Sequence, residues 1–151
     1  MRRDLQTRLL EDFPDLYCRG LHIACGGGWE PLLRRLSERI TQIVQSLPLE
    51  SPSPADEPSI SDQRSTEAGQ YAGLTAQSFC ANQVKEKYGG LRFYMNKSTD
   101  EIRQAIQDAK AESVSTCETC GRSGKLRDAG WWFVACDEHN GDAAEAIKFW
   151  V

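Results

Sequence analysis

Four residues near the end of the chain have the types and the spacing of a metal site. Cys117 and Cys120 form a C-x2-C pair, and Cys136 and His139 form a C-x2-H pair after fifteen intervening residues. A two-residue gap lets both side chains of a pair reach one ion, and tetrahedral zinc accepts three thiolates and one imidazole. The spacing therefore predicts one zinc ion bound by these four side chains.

The residues between and after the two pairs predict the shape around the zinc. Gly121 permits a tight turn directly after the first pair. Residues 125–127 and 131–134 have the composition of two short strands joined by a turn at 128–130, and a final helix is predicted over 137–151. A knuckle, a hairpin and a helix that supplies the second ligand pair together resemble the treble-clef zinc finger.

The predicted zinc is structural. A catalytic zinc keeps one coordination position open beside three protein ligands, whereas four good ligands are present here. Treble-clef nucleases use further histidines, and the chain has only His22 and His139. No nucleophile–base pair is identifiable either, so an enzyme is the least favoured class of function.

Two helices are predicted before the middle of the chain. The first spans about 3–13, with apolar residues four apart, and ends at Pro14. The second begins near Pro31 and continues to about Leu47 with one apolar stripe. Between them stands the triple glycine 26–28, which lacks the Lys-Ser/Thr of a phosphate-binding loop. We interpret it as a flexible turn that enters the second helix.

A β-hairpin is predicted at 84–95, with Gly89-Gly90 as a two-residue turn. This turn pairs Tyr88 with Leu91, and places Glu86 opposite Phe93 and Val84 opposite Met95. One face is then largely apolar, and the opposite face carries a basic and aromatic set that could contact a partner. Its members are Lys85, Lys87, Arg92 and Tyr94.

A capping signal at Ser98-Thr99-Asp100-Glu101 predicts a third helix that continues to about Ser113. The fold class is therefore α+β: N-terminal helices, a central β-hairpin followed by a helix, and a C-terminal treble-clef-like zinc finger. We expect segment 1–47 and the unit 71–151 to pack as one domain, joined by the segment 48–70.

The segment 48–70 is rich in proline and serine, and five carboxylates against one arginine give it a net charge of −4, equal to that of the whole chain. Such a composition predicts a flexible acidic loop. The start of the chain lacks an apolar signal core, and no stretch approaches the length that spans a membrane. Because the cysteines have a metal-binding pattern and the sequence shows no signal peptide, we expect the protein in a reducing cytoplasm, without a membrane partner.

Three cysteines remain after the metal set, Cys18, Cys25 and Cys80. An odd number suits unpaired thiols better than disulfides. A second metal site from Cys18, His22 and Cys25 would have unusual gaps and lack a fourth ligand.

Three motifs occur in order along the chain: C-G-x-G-W at 25–29, V-K-E-K-Y-G-G-L-R-F-Y at 84–94, and C-E-x-C-G … W-W … C-x-x-H in the finger. Their combination resembles a group of small zinc-finger proteins encoded by tailed bacteriophages and prophages. Gly27 stands where that group more often has an acidic residue. The resemblance implies a bacterial host cytoplasm and a protein that binds host machinery, and it implies no catalytic residues.

Two classes of function compete. A module that binds a host protein or complex, for example as an inhibitor of host machinery or defence, is favoured by the near-neutral charge outside 48–70 and by the aromatic residues Trp131 and Trp132. A nucleic-acid binder would use the basic hairpin face with Arg122, Lys125 and Arg127. An isoelectric point near 5.2 disfavours the second class, because nucleic-acid-binding domains tend to exceed 9.

Overall fold

The computed structural model describes residues 1–49 and 68–141. The described helices are α1 (Arg3–Asp12), α2 (Glu30–Ser46) and α3 (Asp100–Ser113), with short 3-10 turns at Gly27–Trp29, Ala68–Tyr71 and Ala76–Phe79. The strands are β1 (Ile23–Ala24), β2 (Ala81–Lys87), β3 (Gly90–Met95), β4 (Lys125–Asp128) and β5 (Trp132–Ala135). The predicted α+β class is confirmed. None of the described helices combines the length and the apolar character that crossing a membrane requires.

Helix α2 forms because its apolar residues recur at helical spacing and Pro31 occupies its first turn. It buries one stripe made of Leu32, Leu33, Leu36, Ile40 and Val44. Helix α3 begins where the Thr99 hydroxyl accepts a hydrogen bond from the Ile102 N–H at 3.2 Å, which satisfies one donor of the first turn. Both helices lie within a residue or two of their predicted bounds.

Helices α2 and α3 pack against each other, and α3 also packs against β3. Exposed ion pairs Arg39–Asp108 and Arg35–Glu112 join the two helices at their outer edges. Strands β1, β2 and β3 form one sheet in that order, with β1 parallel and β3 antiparallel to β2. These elements, α1–α3 with β1–β3, enclose the larger apolar core and are together called the body.

The hairpin of the body has a different register from the predicted one. Its turn is Tyr88-Gly89, with φ of +55° and +73°, and Lys87 pairs with Gly90, Glu86 with Leu91 and Val84 with Phe93. The prediction of a Gly89-Gly90 turn was wrong because the observed register places the buried side chains of Val84 and Phe93 opposite each other in the core, whereas the predicted turn would set Phe93 opposite Glu86. The slip of two residues preserves the alternation, so the predicted apolar and basic faces are still opposite each other.

Cys18 and Cys80 form a disulfide, which corrects the prediction that they are unpaired thiols. The two residues meet because the segment before β1 lies beside β2: the Cys18 N–H donates to the Ala81 carbonyl at 2.9 Å. The odd cysteine is Cys25, which is buried in the body. Free thiols therefore no longer support a reducing compartment, and the compartment stays a prediction.

The predicted flexible loop at 48–70 lies almost entirely outside the described residues, and so does most of the predicted final helix at 137–151. Within the described part of that helix, residues 137–141 form turns. The His139 N–H donates to the Cys136 carbonyl at 3.2 Å, which folds the chain back between the second pair of candidate ligands.

Candidate metal centre and adjoining cleft

The C-terminal finger, residues 115–139, brings the four predicted ligands to one point. The ligand atoms of Cys117, Cys120, Cys136 and His139 all lie within 4.8 Å of one another. The His139 Nδ1 is 3.2 Å from the Cys136 sulfur and 3.7 Å from the Cys117 sulfur, and the Cys120 and Cys136 sulfurs are 3.8 Å apart. The residues that the spacing singled out therefore form a group that could hold a metal ion.

Local backbone structure prepares the two knuckle sulfurs, those of Cys117 and Cys120, for metal binding. Cys117 and Cys120 are held in a tight knuckle closed by the Gly121 N–H, which donates to the Cys117 carbonyl at 2.8 Å, and Gly121 itself has a φ of +77°. The Arg122 backbone N–H lowers the pKa of the Cys120 thiol to about 6. Burial raises the pKa of the Cys25 thiol to about 12 instead. The knuckle sulfur is thus suited to the thiolate form that metals bind, and Cys25 is not.

The finger hairpin β4–β5 continues from the knuckle. Lys125 pairs with Ala135, Arg127 with Phe133 and Asp128 with Trp132. Two strands form where they were predicted, but the turn is 129–131 and not 128–130, because Asp128 extends β4 and β5 begins one residue later, at Trp132. The Glu118 N–H donates to the Val134 carbonyl at 3.1 Å, which attaches the knuckle to β5. Cys117, Phe133 and Ala135 form the small buried cluster of the finger.

The triple glycine is the place where the body meets the finger. The Gly28 N–H donates to the Glu118 carbonyl at 2.7 Å. A Cβ on Gly28 would lie 2.4 Å from the Cys117 carbonyl oxygen, and a Cβ on Gly26 would lie 2.2 Å from that of Glu118. The stretch does enter α2, through the 3-10 turn Gly27–Trp29, but its glycines are not there for flexibility: they are needed because backbone packs directly against backbone.

Two side chains complete this contact. The Glu118 carboxylate accepts a hydrogen bond from the Gly26 N–H at 2.6 Å, and burial raises its pKa to about 7. The Trp29 indole N–H donates to the Thr116 carbonyl at 2.8 Å, and the Trp29 ring is fully buried in the body core. Sequence reasoning missed both residues. The signal that could have found them is the alternation of small residues before a tryptophan, C-G-x-G-W, which a merely flexible turn does not need.

A cleft of about 1080 Å³ opens between the body hairpin β2–β3 and the finger hairpin β4–β5. One wall is the end of β2, residues 85–88, and the other is the stretch 131–135. Cys25, Gly26 and Glu118 line the part between the walls. Trp131 and Trp132 are 40% and 52% exposed, so the cleft presents two large aromatic rings to its surroundings.

The structure separates the residues that were predicted to contact a partner. Lys85, Lys87, Trp131 and Trp132 line the cleft. Arg92 and Tyr94 do not, and Lys125 lies on β4, which is not among the lining elements. Arg122 is paired with Glu138, and Arg127 donates to Asp137 at 2.5 Å. The two arginines of the finger thus have their charges matched inside the finger.

The chain was compared with protein-family models, with curated proteins and with solved structures, and none of these comparisons finds a match. The features that bear on function are therefore the metal centre, the glycine contact and the cleft.

Proposed function

We propose that Cys117, Cys120, Cys136 and His139 bind one zinc ion in a closed structural site. Zinc–sulfur bonds of about 2.3 Å in a tetrahedron place two sulfurs about 3.8 Å apart, and a zinc–nitrogen bond of about 2.0 Å places sulfur and nitrogen about 3.5 Å apart. The Cys120–Cys136 separation of 3.8 Å and the Cys117–His139 separation of 3.7 Å lie close to these edges, and the Cys136–His139 separation of 3.2 Å is the shorter one. Three thiolates with one imidazole are also a donor set that zinc prefers.

In this proposal the zinc organises a treble-clef-like finger and takes no part in catalysis. All four tetrahedral positions are filled by protein side chains, so no position is open for water or substrate. The finger buries few apolar side chains of its own, and metal binding supplies folding free energy in such units. The zinc would therefore hold β5 with Trp132, and the adjoining Trp131, in place beside the body.

We propose further that the protein is a non-catalytic binding module, and that the cleft is the surface that binds a partner protein. The observation that carries this proposal is the exposure of Trp131 and Trp132 along one wall of a large open cleft. Tryptophan is strongly enriched among residues that dominate protein interfaces, because it buries a large area with few rotatable bonds. In the setting that the phage resemblance implies, the partner would be a protein of the bacterial host.

The basic residues give less support to nucleic-acid binding. Arg122 and Arg127 are engaged with Glu138 and Asp137, so they are not available to neutralise phosphates without losing those pairs. Lys85 and Lys87 line the wall opposite the tryptophans, in a cleft that also contains two carboxylates. The phosphates of a nucleic acid bound there would also meet the carboxylates of Glu86 and Glu118, which carry the same sign of charge.

The proposal is tested by affinity capture from bacterial cells with and without nuclease, using the intact protein and two matched variants. Trp132→Ala should weaken capture of the partner by about 30-fold or more, the usual effect of an interface hot spot. Tyr94→Ala removes an aromatic ring of similar exposure (48%) outside the cleft and should have little effect. Capture that depends on nucleic acid, or that both variants leave unchanged, would contradict the proposal.

A further inference from the structure

The cleft lies along the open edge of β5. Five consecutive residues, 131–135, line it, although successive side chains of a strand point to opposite faces. A cavity touches every residue of a strand when it runs along the strand's edge. The cleft therefore borders the backbone of β5 as well as its side chains.

The hydrogen bonding of β5 shows which backbone groups face the cleft. The Val134 carbonyl accepts from the Glu118 N–H, which lies on the side of β5 away from β4. Because backbone groups alternate between the two edges of a strand, the N–H and C=O of Trp132 also point away from β4. Within residues 1–49 and 68–141, neither group of Trp132 has a hydrogen-bond partner on that side. An open edge of this kind is ready to pair with another strand.

The charge of the opposite wall is unbalanced. Lys85 and Lys87 line the cleft, and neither forms an ion pair with a described carboxylate. On this wall the two ammonium groups face the single carboxylate of Glu86, which accepts a hydrogen bond from the Gly89 N–H at 2.5 Å, so the wall is net positive. Glu118 lies between the walls, where its carboxylate accepts a hydrogen bond from the Gly26 N–H at 2.6 Å.

From the edge and the charge together we infer that the cleft binds an extended segment of a partner protein in which apolar and acidic residues alternate. The segment pairs through its main chain with the outer edge of β5 at Trp132. Its apolar side chains pack on the tryptophan wall, and its carboxylates meet Lys85 and Lys87. Strand addition of this type takes affinity from main-chain hydrogen bonds and specificity from alternate side chains. The inference rests on the proposed function and names the kind of partner that the cleft accepts.

The test uses fluorescein-labelled probe peptides and the intact metal-loaded protein, with binding followed by fluorescence anisotropy. The acidic probe alternates valine and glutamate over nine residues, and the basic probe has lysine in place of glutamate. We expect the acidic probe to bind at least about tenfold more tightly than the basic one. Two further acidic probes carry N-methyl groups either on the valine amides or on the glutamate amides. Their affinities should differ by at least about tenfold, because a strand pairs through only one of its edges.

Matched variants of the protein locate the charge contact. Lys85→Ala combined with Lys87→Ala should weaken binding of the acidic probe about tenfold or more. Lys97→Ala combined with Lys110→Ala removes the same charge outside the cleft lining and should change it less than about twofold.

Four outcomes would overturn the inference: no binding of the acidic probe up to about 1 mM, equal binding of the basic probe, indifference to both methylation patterns, or self-association that Trp132→Ala abolishes. A peptide with the sequence of residues 142–151 that binds as tightly as the acidic probe would also overturn it, because the chain's own end would then be the occupant. If the probes fail while capture of a partner still depends on Trp132, the inference is wrong and the proposed function stands. If capture does not depend on Trp132, the proposed function itself fails.

Discussion

The body and the finger are built from different kinds of contact. The body buries whole aromatic and aliphatic side chains, among them Trp29, Leu33, Ile40 and Ile102, whose exposure is zero. The buried cluster of the finger is much smaller and consists of Cys117, Phe133 and Ala135. Burial of apolar area contributes about 25 cal/mol per Å². The body is therefore stabilised by its core, whereas under the proposed function the finger depends on a bound metal to keep one shape.

The two regions also differ in what joins their distant segments. In the body, the Cys18–Cys80 disulfide links residues 62 apart in sequence. In the finger, the four candidate ligands bring the knuckle and the turn after β5 together, and the proposed zinc would link them. The regions meet at Gly26 and Gly28, where backbone lies on backbone and no side chain can be added. Loss of one region should therefore spread to the other through this contact, through the Trp29–Thr116 hydrogen bond and through the Gly89 turn, which lies against Leu126 of the finger.

The largest effect is expected from the finger ligands. Cys120→Ser removes one of the four ligands, and because ligand binding is folding free energy in such a site, amide protection across 115–139 should fall by at least about a hundredfold. Hydrogen exchange followed by mass spectrometry measures this directly. Ser123→Ala, an exposed change in the same region, is the control. Equal protection in both variants would show that the finger folds without its metal.

The next largest effect concerns the disulfide of the body. Cys80→Ser opens a long loop and should lower the free energy of unfolding of the body by about 2–4 kcal/mol, while finger protection stays intact. Chemical denaturation followed by tyrosine and tryptophan fluorescence gives the value. The unmodified protein treated with reductant should match the variant. An intact mass that shows no loss of two hydrogens in the oxidised protein would refute the Cys18–Cys80 bond.

A smaller effect on stability is expected from substitutions at the contact between the body and the finger. Gly28→Ala places a methyl group 2.4 Å from the Cys117 carbonyl and 2.5 Å from the Gly121 nitrogen, and both atoms belong to backbone. It should destabilise the protein by about 1–3 kcal/mol and loosen the knuckle. Gly27→Ala meets only the end of the Leu5 side chain at 3.2 Å and should change stability by no more than about 0.5 kcal/mol. Thermal unfolding of the two variants compares them, and equal melting temperatures would refute the tight contact.

The smallest effect is expected on the outer surface of the body. Arg39 and Asp108 join α2 to α3, but both side chains are 52% exposed. Water and salt screen such a pair, so Arg39→Ala should shift the melting temperature by less than about 2 °C. A shift as large as that of Gly28→Ala would mean that the helices are held by surface charge and not by their buried stripe.

Features that depend on local pattern were predictable from the sequence. The bounds of α2 follow from one apolar stripe and Pro31, and the metal ligands follow from two short gaps between ligand-type residues. The faces of the body hairpin were also correct, although its register was not. Tyr88-Gly89 and Gly89-Gly90 compete for the same turn, and the packing of Val84 opposite Phe93 in the body core favours the first. That packing is tertiary and leaves no local signal.

Features that join distant segments were not predictable. The Gly26 and Gly28 contact reaches Glu118 across about ninety residues, and nothing near the glycines indicates what lies against them. The Cys18–Cys80 pairing was missed because three leftover cysteines were considered as a set, whereas two of them pair and Cys25 stays buried. The cleft is likewise a product of how the finger lies against the body, although its tryptophans are conspicuous in the sequence.

The dependence of the finger, and not of the body, on metal is tested most directly by hydrogen exchange of the intact protein before and after removal of the metal with a strong chelator. We predict that amides of 115–139 lose their protection while those of α2 and α3 keep theirs, and that readdition of zinc restores the finger. Protection that is unchanged across 115–139, or lost equally in α2 and α3, would contradict this account.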